Sequence, residues 1–254
     1  MRMVFKGAAR TVTGSKHLLQ TEKGNILVDC GLYQGKREEA FKLNKSLDGI
    51  DPKSLHAMIL THAHIDHCGA IPLFVKKGFE GDIFCTHATR DLANILLRDS
   101  AYIQEKDIEF VNKKRERNNE FPFNPLYTIE DAVKSLDYFV SYTYKRPFKL
   151  FNEYEVQLLD AGHILGSAMA LVKAEGKTIL FSGDYGRKDM PILEDPAEIT
   201  EPVDYIVLES TYGNRVHDEM QFMESQLAEV VNKVVMRKGK LVIPAFSVGR
   251  TQEL

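Results

Sequence analysis

The feature that most constrains this chain is the segment Thr61-His62-Ala63-His64-Ile65-Asp66-His67, which follows directly on the apolar run Ala57 to Leu60. Three imidazoles and one carboxylate fall within six residues of each other. Neutral imidazole nitrogens and carboxylate oxygens are the donors that zinc takes at catalytic centres, and a tight loop can aim successive side chains at two neighbouring ions. Such a loop needs a rigid platform, and a strand ending at Leu60 supplies one.

Other short apolar runs recur between turn signals: Asn25 to Val28, Asp82 to Cys85, Val156 to Leu159, Ala168 to Val172, Thr178 to Phe181, Tyr205 to Leu208 and Lys240 to Ile243. All are read as strands. Ala168 to Ala174 and Lys177 to Phe181 are separated only by Glu175-Gly176, which predicts an antiparallel hairpin. Helical spacing of apolar residues marks Ile71 to Lys77, Thr89 to Asn112, Thr128 to Phe139 and Met220 to Arg237. Interleaved helices and strands give an α/β fold class. Lys113 to Pro125, charged and then rich in Asn and Pro, reads as a loop or connector.

Several strands end in polar clusters: Asp29 after Val28, His62 after Leu60, Asp160 to His163 after Leu159, Ser182 to Asp184 after Phe181, and Glu209 after Leu208. In layered α/β proteins sites gather where strands end, so these clusters are expected on one shared edge. His163 and Asp184 sit in AGHILGSA and FSGDYGR, whose small residues let backbone come close to a site.

Composition matters here for what it excludes. The 254 residues carry a formal net charge of −3, so no global cationic field draws in a polyanion and any nucleic-acid contact must be local. The 3 cysteines, Cys30, Cys68 and Cys85, lack CxxC spacing and imply a reducing compartment, the cytoplasm, rather than a disulfide framework. The N-terminus has no apolar signal core and no run is long enough to cross a bilayer, so no membrane association is expected.

HxHxDH, followed by a strand-end histidine and a strand-end aspartate, resembles the metallo-β-lactamase superfamily. The resemblance implies that His62, His64 and His163 hold one metal, that Asp66 and His67 hold a second, and that Asp184 bridges them. It further implies two zinc ions activating water, which Asp66 helps to orient, and an Asp29 that braces the ligands from behind. Three more stretches, GAARTVTGS (Gly7 to Ser15), LESTYGNR (Leu208 to Arg215) and IPAFSVGRTQEL (Ile243 to Leu254), are similar to the β-CASP ribonucleases, relatives of the pre-mRNA 3′-end cleavage subunit.

That likeness covers essentially the whole chain. It implies a metallo-β-lactamase αββα sandwich over residues 1–210, with the beginning of an inserted β-CASP α/β domain in 211–254. It also implies hydrolysis of RNA phosphodiesters, endonucleolytic or 5′ to 3′ exonucleolytic, on single-stranded RNA, within a homodimer or an RNA-processing complex. Asp66, Asp184 and Glu209 become the catalytic set, with Glu209 pairing a histidine of the inserted domain. Phe246 to Gly249 enters a helix whose N-H groups suit a phosphate, making Ser247 and Arg250 candidates for substrate contact. In that family the inserted domain continues beyond the position of Leu254 and brings further histidines. None follows His217 here, so the chain is expected to be a fragment with an incomplete second metal site. The competing expectations are a small-molecule ester or thioester hydrolase of the glyoxalase II kind, and a non-catalytic RNA-processing scaffold.

The remaining candidates read as structural. His87 is expected to be a hydrogen-bonded histidine, Cys68 a small buried residue, and Lys113, Lys114, Arg115 and Arg117 a solvated helix end. His17, His56 and His217 have no ligand partners at useful spacing.

Overall fold

The computed structural model describes residues 1–216 and 222–253. In chain order the elements are β1 (Arg2–Phe5), β2 (His17–Gln20), β3 (Asn25–Val28), α1 (Arg37–Ser46), β4 (Leu55–Ile59), α2 (Ile65–Cys68), α3 (Ile71–Lys76), β5 (Asp82–Thr86), α4 (His87–Arg117), α5 (Ile129–Ser135), β6 (Phe139–Tyr142), β7 (Phe148–Leu150), β8 (Tyr154–Asp160), β9 (Ala168–Ala174), β10 (Lys177–Phe181), β11 (Tyr205–Val207), α6 (Met223–Met236) and α7 (Arg250–Glu253).

The strands form two sheets, one ordered β1-β2-β3-β4-β5-β6 and the other β11-β10-β9-β8-β7. In the first, β1, β2 and β3 are antiparallel, while β3, β4, β5 and β6 run parallel. β3, β4 and β5 therefore finish on the same edge, which is where Asp29, the His62–His67 loop and α4 begin. The second sheet is antiparallel except for the β10–β11 pair. The expected hairpin joins β9 to β10, with Lys177 opposite Ala174 and both Glu175 and Gly176 at positive φ, as a two-residue turn matched to strand twist requires.

Alternation along the strands explains the layers. Ile26, Val28, Ala57 and Ile59 of the first sheet meet Val156, Leu158, Ala170, Val172, Ile179 and Phe181 of the second. The opposite face of the first sheet, through Leu27, Met58 and Ile83, packs on Phe74, Phe79, Ala93, Leu97 and Ala132. β9 is buried on both faces, because Met169 and Leu171 look outward onto Ala197, Ile199 and Val203 from irregular chain. Each fully buried Val, Leu, Ile, Phe or Met among them contributes on the order of 1.5–3 kcal/mol by leaving water.

Local chemistry sets the helix starts. Thr86 accepts a hydrogen bond from Thr89 N at the head of α4, Pro72 occupies the first turn of α3, and Thr128 and Asp131 form a reciprocal capping box on α5. α4 runs on through Arg117, so Lys113–Arg117 is the helix end expected of its basic residues, and the expected connector begins only after it. Asn112 turns the following chain back by bonding both the N and the O of Phe123. Lys240 to Ile243, expected as a strand, is irregular, and Leu241, Val242 and Ile243 are exposed; its apolar pattern has no strand to pair with among the described residues. The predicted start of the last long helix at Met220 lies outside the described residues, as does His217, and the described helix begins at Met223. No described helix is long and apolar enough to cross a membrane.

Candidate metal centre

β4 delivers the chain to the site with its backbone already occupied, since Leu60 N donates to Phe84 O of β5. Thr61 to His64 then run irregularly until α2 begins, where His67 N and Cys68 N both donate to His64 O. The irregular stretch aims His62 and His64 to one place, and the single helical turn displaces Asp66 and His67 to its side.

Asp29 anchors the loop from beneath. It holds a left-handed backbone at φ 60, and its carboxylate accepts from Thr61 N at 2.9 Å and from Thr61 Oγ1 at 2.9 Å. It also meets His67 Nδ1 at 2.8 Å. Thr61 Oγ1 lies 3.1 Å from His62 Nδ1. Because Thr61 spends its proton on Asp29, its oxygen accepts from His62 Nδ1, which leaves the His62 Nε2 lone pair free to bind. By the same logic, the Asp29 contact at His67 Nδ1 fixes the ring so that His67 Nε2 faces Asp184.

The second sheet brings the partners. Ala168 N donates to Thr61 O at 2.8 Å, tying the β8–β9 loop to the His62 loop. Within that loop Ser167 Oγ accepts from His163 N at 2.9 Å and from Ile164 N at 3.2 Å, and so sets the turn that presents His163. Asp184 follows Gly183, whose φ of 54 favours glycine and where a Cβ would stand 2.8 Å from the Thr61 side chain. The strand end can approach the ligand loop only without a side chain there.

One ligand atom from each of His62, His64, His163 and Asp184 lies within 4.8 Å of all the others. His64 Nδ1 is 3.1 Å from His62 Nε2 and 3.2 Å from His163 Nε2, and Asp184 Oδ2 is 3.7 Å and 3.4 Å from those two Nε2 atoms. Donors about 2.1 Å from a tetrahedral zinc stand about 3.4 Å apart, so the four atoms fit one ion of that size. Asp184 Oδ1 is turned the other way, 3.2 Å from His67 Nε2. Asp184 therefore joins the tetrad to His67. Asp66 is outside the tetrad, close enough to His67 and Asp184 to feel their charge.

Electrostatics match this division. Burial, reinforced by neighbouring imidazoles, presses His62 well below its ordinary value; burial also brings His64 down to about 4 and lowers His163 against the pull of Asp184. All three are neutral at pH 7, the form that binds metal. His67 is opposed by burial, yet the carboxylates of Asp29 and Asp184 outweigh it and hold His67 well above the usual imidazole range. Asp184 is held low against burial by its bond to His67, while burial raises Asp66.

Glu209 lies two residues past β11, where its carboxylate accepts from Tyr185 N and Thr211 N, both at 3.1 Å. It borders a cleft of about 370 Å³ floored by Asp29, Thr61, His67 and Asp184 and walled by residues 8–12 and 208–211. Ser247 and Arg250 lie on the far stretch; Gly249 between them adjoins Ile164, the residue after His163, at a distance that would put an added Cβ 3.4 Å from Ile164 Cγ2. His87 bonds Ser141 Oγ at 2.7 Å, and Cys68 is buried, its thiol pushed well up by desolvation and bonded to Ala63 O. Thr61 and Ser167 escaped the reading of the sequence. Their signal was faint: a hydroxyl beside a ligand histidine and one four residues after another.

Residues 13–135 match the model of the metallo-β-lactamase superfamily. A ribonuclease of Thermus thermophilus is 34% identical over 254 residues, covering 100% of this chain and 54% of its own length. Transcription termination factor FttA of Methanocaldococcus jannaschii is 34% identical over 259 residues, covering 100% of this chain and 38% of its own. Cleavage and polyadenylation specificity factor subunit 3-I of Arabidopsis thaliana is 32% identical over 253 residues, covering 98% of this chain and 34% of its own. The chain thus spans from about a third to about half the length of these relatives.

Proposed function

The chain belongs to the metallo-β-lactamase superfamily, and from that membership we propose that it serves a β-CASP-type ribonuclease, hydrolysing RNA phosphodiester bonds at a dinuclear zinc centre. The observation that carries this reading is the convergence of His62, His64, His163 and Asp184, with the second oxygen of Asp184 given to His67. In the proposal the tetrad holds the first ion, and His67, Asp66 and the shared Asp184 hold the second. A pair of divalent ions there would acidify a water and neutralise charge developing on the attacked phosphate.

The chain's own groups do the positioning. Asp29 fixes the ring of His67 and, through Thr61, that of His62; Asp66, beside the second position, would orient the water. Glu209, at the cleft wall, is proposed to orient a proton donor near the leaving oxygen. A cleft of about 370 Å³ accepts a group of small-ligand size, which favours a single strand over a duplex. Residues 1–210 are proposed as the metallo-β-lactamase domain and 211–254 as the start of the β-CASP domain, a division supported by a buried core drawn from residues up to Phe181, with Val207 the last residue packed against it.

Metal content by mass spectrometry and cleavage of labelled single-stranded RNA test this together. His64→Ala or Asp184→Ala should lower metal affinity and cleavage by at least about 100-fold, more than the 10–100-fold that loss of an outer partner costs. Undiminished metal content in both variants, or turnover of a thioester with RNA left intact, ends the ribonuclease reading.

A further inference from the structure

Residues 8–12 and Ser15 lie outside the ligand set, yet they form one wall of the cleft beside it. They connect β1 to β2, whose register pairs Phe5 with His17. Beyond that pair the arms stay together through Lys6 N to Lys16 O at 2.9 Å and Ala8 N to Thr13 O at 3.3 Å. Gly7 and Gly14 touch backbone to backbone, so that a Cβ on Gly7 would fall 1.8 Å from Gly14 O. The base of the loop is fixed to the candidate centre itself: Ser15 N donates to Asp66 O at 2.8 Å, and Gly31 N to Ser15 O at 3.0 Å. Thr13 Oγ1 adds a two-way link to the backbone of Gln34.

At the tip two non-glycine residues, Ala8 at φ 50 and Arg10 at φ 64, hold left-handed conformations. Such backbone is costly for residues with a Cβ and persists where the surroundings impose it, often at ligand clamps. Charge gives the ligand its chemistry. The cleft lining contains the acids Asp29, Asp184 and Glu209, and its only lysine or arginine among the described residues is Arg10. Arg10 is exposed and forms no ion pair among the described residues. His17, another lining residue, keeps Nδ1 buried with no hydrogen-bond partner among the described residues.

Resting on the ribonuclease reading, we propose that the β1–β2 loop tip is a substrate-binding wall in which the Arg10 guanidinium takes the non-bridging oxygens of an RNA phosphate adjoining the one under attack. An RNA strand in this cleft has to bring several negative charges past three carboxylates. The metal position answers one phosphate, and Arg10 answers the next with a planar fork that suits two oxygens at once. The bond from Ser15 to Asp66 ties the position of that fork to the ligand loop.

The test is fluorescence anisotropy of a labelled, phosphorothioate-protected single-stranded RNA on the zinc-loaded protein, titrated over a range of salt, with metal content measured in parallel. Arg10→Ala should weaken binding about 10-fold, the loss of one charge-assisted contact, and should reduce the slope of log affinity against log salt by about 0.7. Arg10→Gly, which also relaxes the left-handed backbone, should bind as weakly as Arg10→Ala. Arg10→Lys should restore the slope but only part of the affinity, and metal content should stay constant throughout. Unchanged affinity and slope in Arg10→Ala or Arg10→Gly, with wild type binding RNA, overturns the assignment to Arg10 and leaves the ribonuclease reading intact. Wild-type protein that carries zinc and ignores RNA overturns both.

Discussion

α4 and α6 both have apolar residues at helical spacing, and they meet opposite fates. α4 buries Thr89, Ala93, Leu97 and Ala101, one residue per turn, against the first sheet. α6 has the more regular apolar stripe, with Leu227, Val230, Val231 and Val235, and buries none of its residues. The same division runs through the chain: the buried core is drawn from residues up to Phe181, with Val207 the last packed against it, while Ile206, Leu208, Val242, Ile243 and Phe246 are exposed. An apolar stripe states what a helix is able to bury, and burial happens only where another surface is presented to it.

The comparison can be broken at three levels. Phe74, fully buried between α3 and the first sheet, should cost about 3–5 kcal/mol of unfolding free energy as Phe74→Ala. Denaturant melts that put the loss under about 1 kcal/mol would mean that the body is looser than its packing.

A smaller effect separates the helix starts. α5 is capped by Thr128 and Asp131, whereas the residue before α6, Phe222, offers no side-chain cap. Burial opposes the charge on Asp131, but bonds from Lys76 and Thr128 outweigh it and hold the carboxyl below its usual range. A depressed folded-state pKa contributes stability above the unfolded value of about 3.9 that is lost as pH falls through the folded one. Asp131→Asn should therefore lower stability by about 0.5–1 kcal/mol at pH 7, a difference that closes below about pH 4. Thermal melts with a constant difference across that range would contradict the cap.

The smallest change is expected on the exposed helix. Val235→Ser removes an apolar side chain that is 67% exposed and should alter stability by under about 0.5 kcal/mol. A loss above about 1.5 kcal/mol would reveal a packed partner for α6 and erase the contrast with α4.

Much of the fold could be read ahead of the structure where a run was both apolar and bounded. Asn25 to Val28, Asp82 to Cys85 and Thr178 to Phe181 are strands as expected, and Glu175-Gly176 turns the hairpin. β1, β2, β6 and β7 passed unnoticed because they are at most 4 residues long and mix polar with apolar positions. Lys240 to Ile243 failed for the reason that α6 lies bare: strand formation needs a neighbour to hydrogen-bond, which no local pattern contains. Of the candidate site, the residue types and the strand ends that carry them were legible. The roles of Thr61 and Ser167 were not, since each acts through a bond to a backbone or ring whose position depends on the whole sheet.

By itself, the order of residues determined that three imidazoles and a carboxylate would gather in one loop directly after a strand, because their spacing and the apolar run before them are written locally. Only the tertiary structure decided that His163 and Asp184 would meet them, which oxygen of Asp184 faces His67, and that Arg10 would stand over the same cleft. These contacts join segments from separate sheets, and ångström-scale distances between them follow from strand register, sheet packing and the bond from Ala168 to Thr61, none of which a linear spacing encodes.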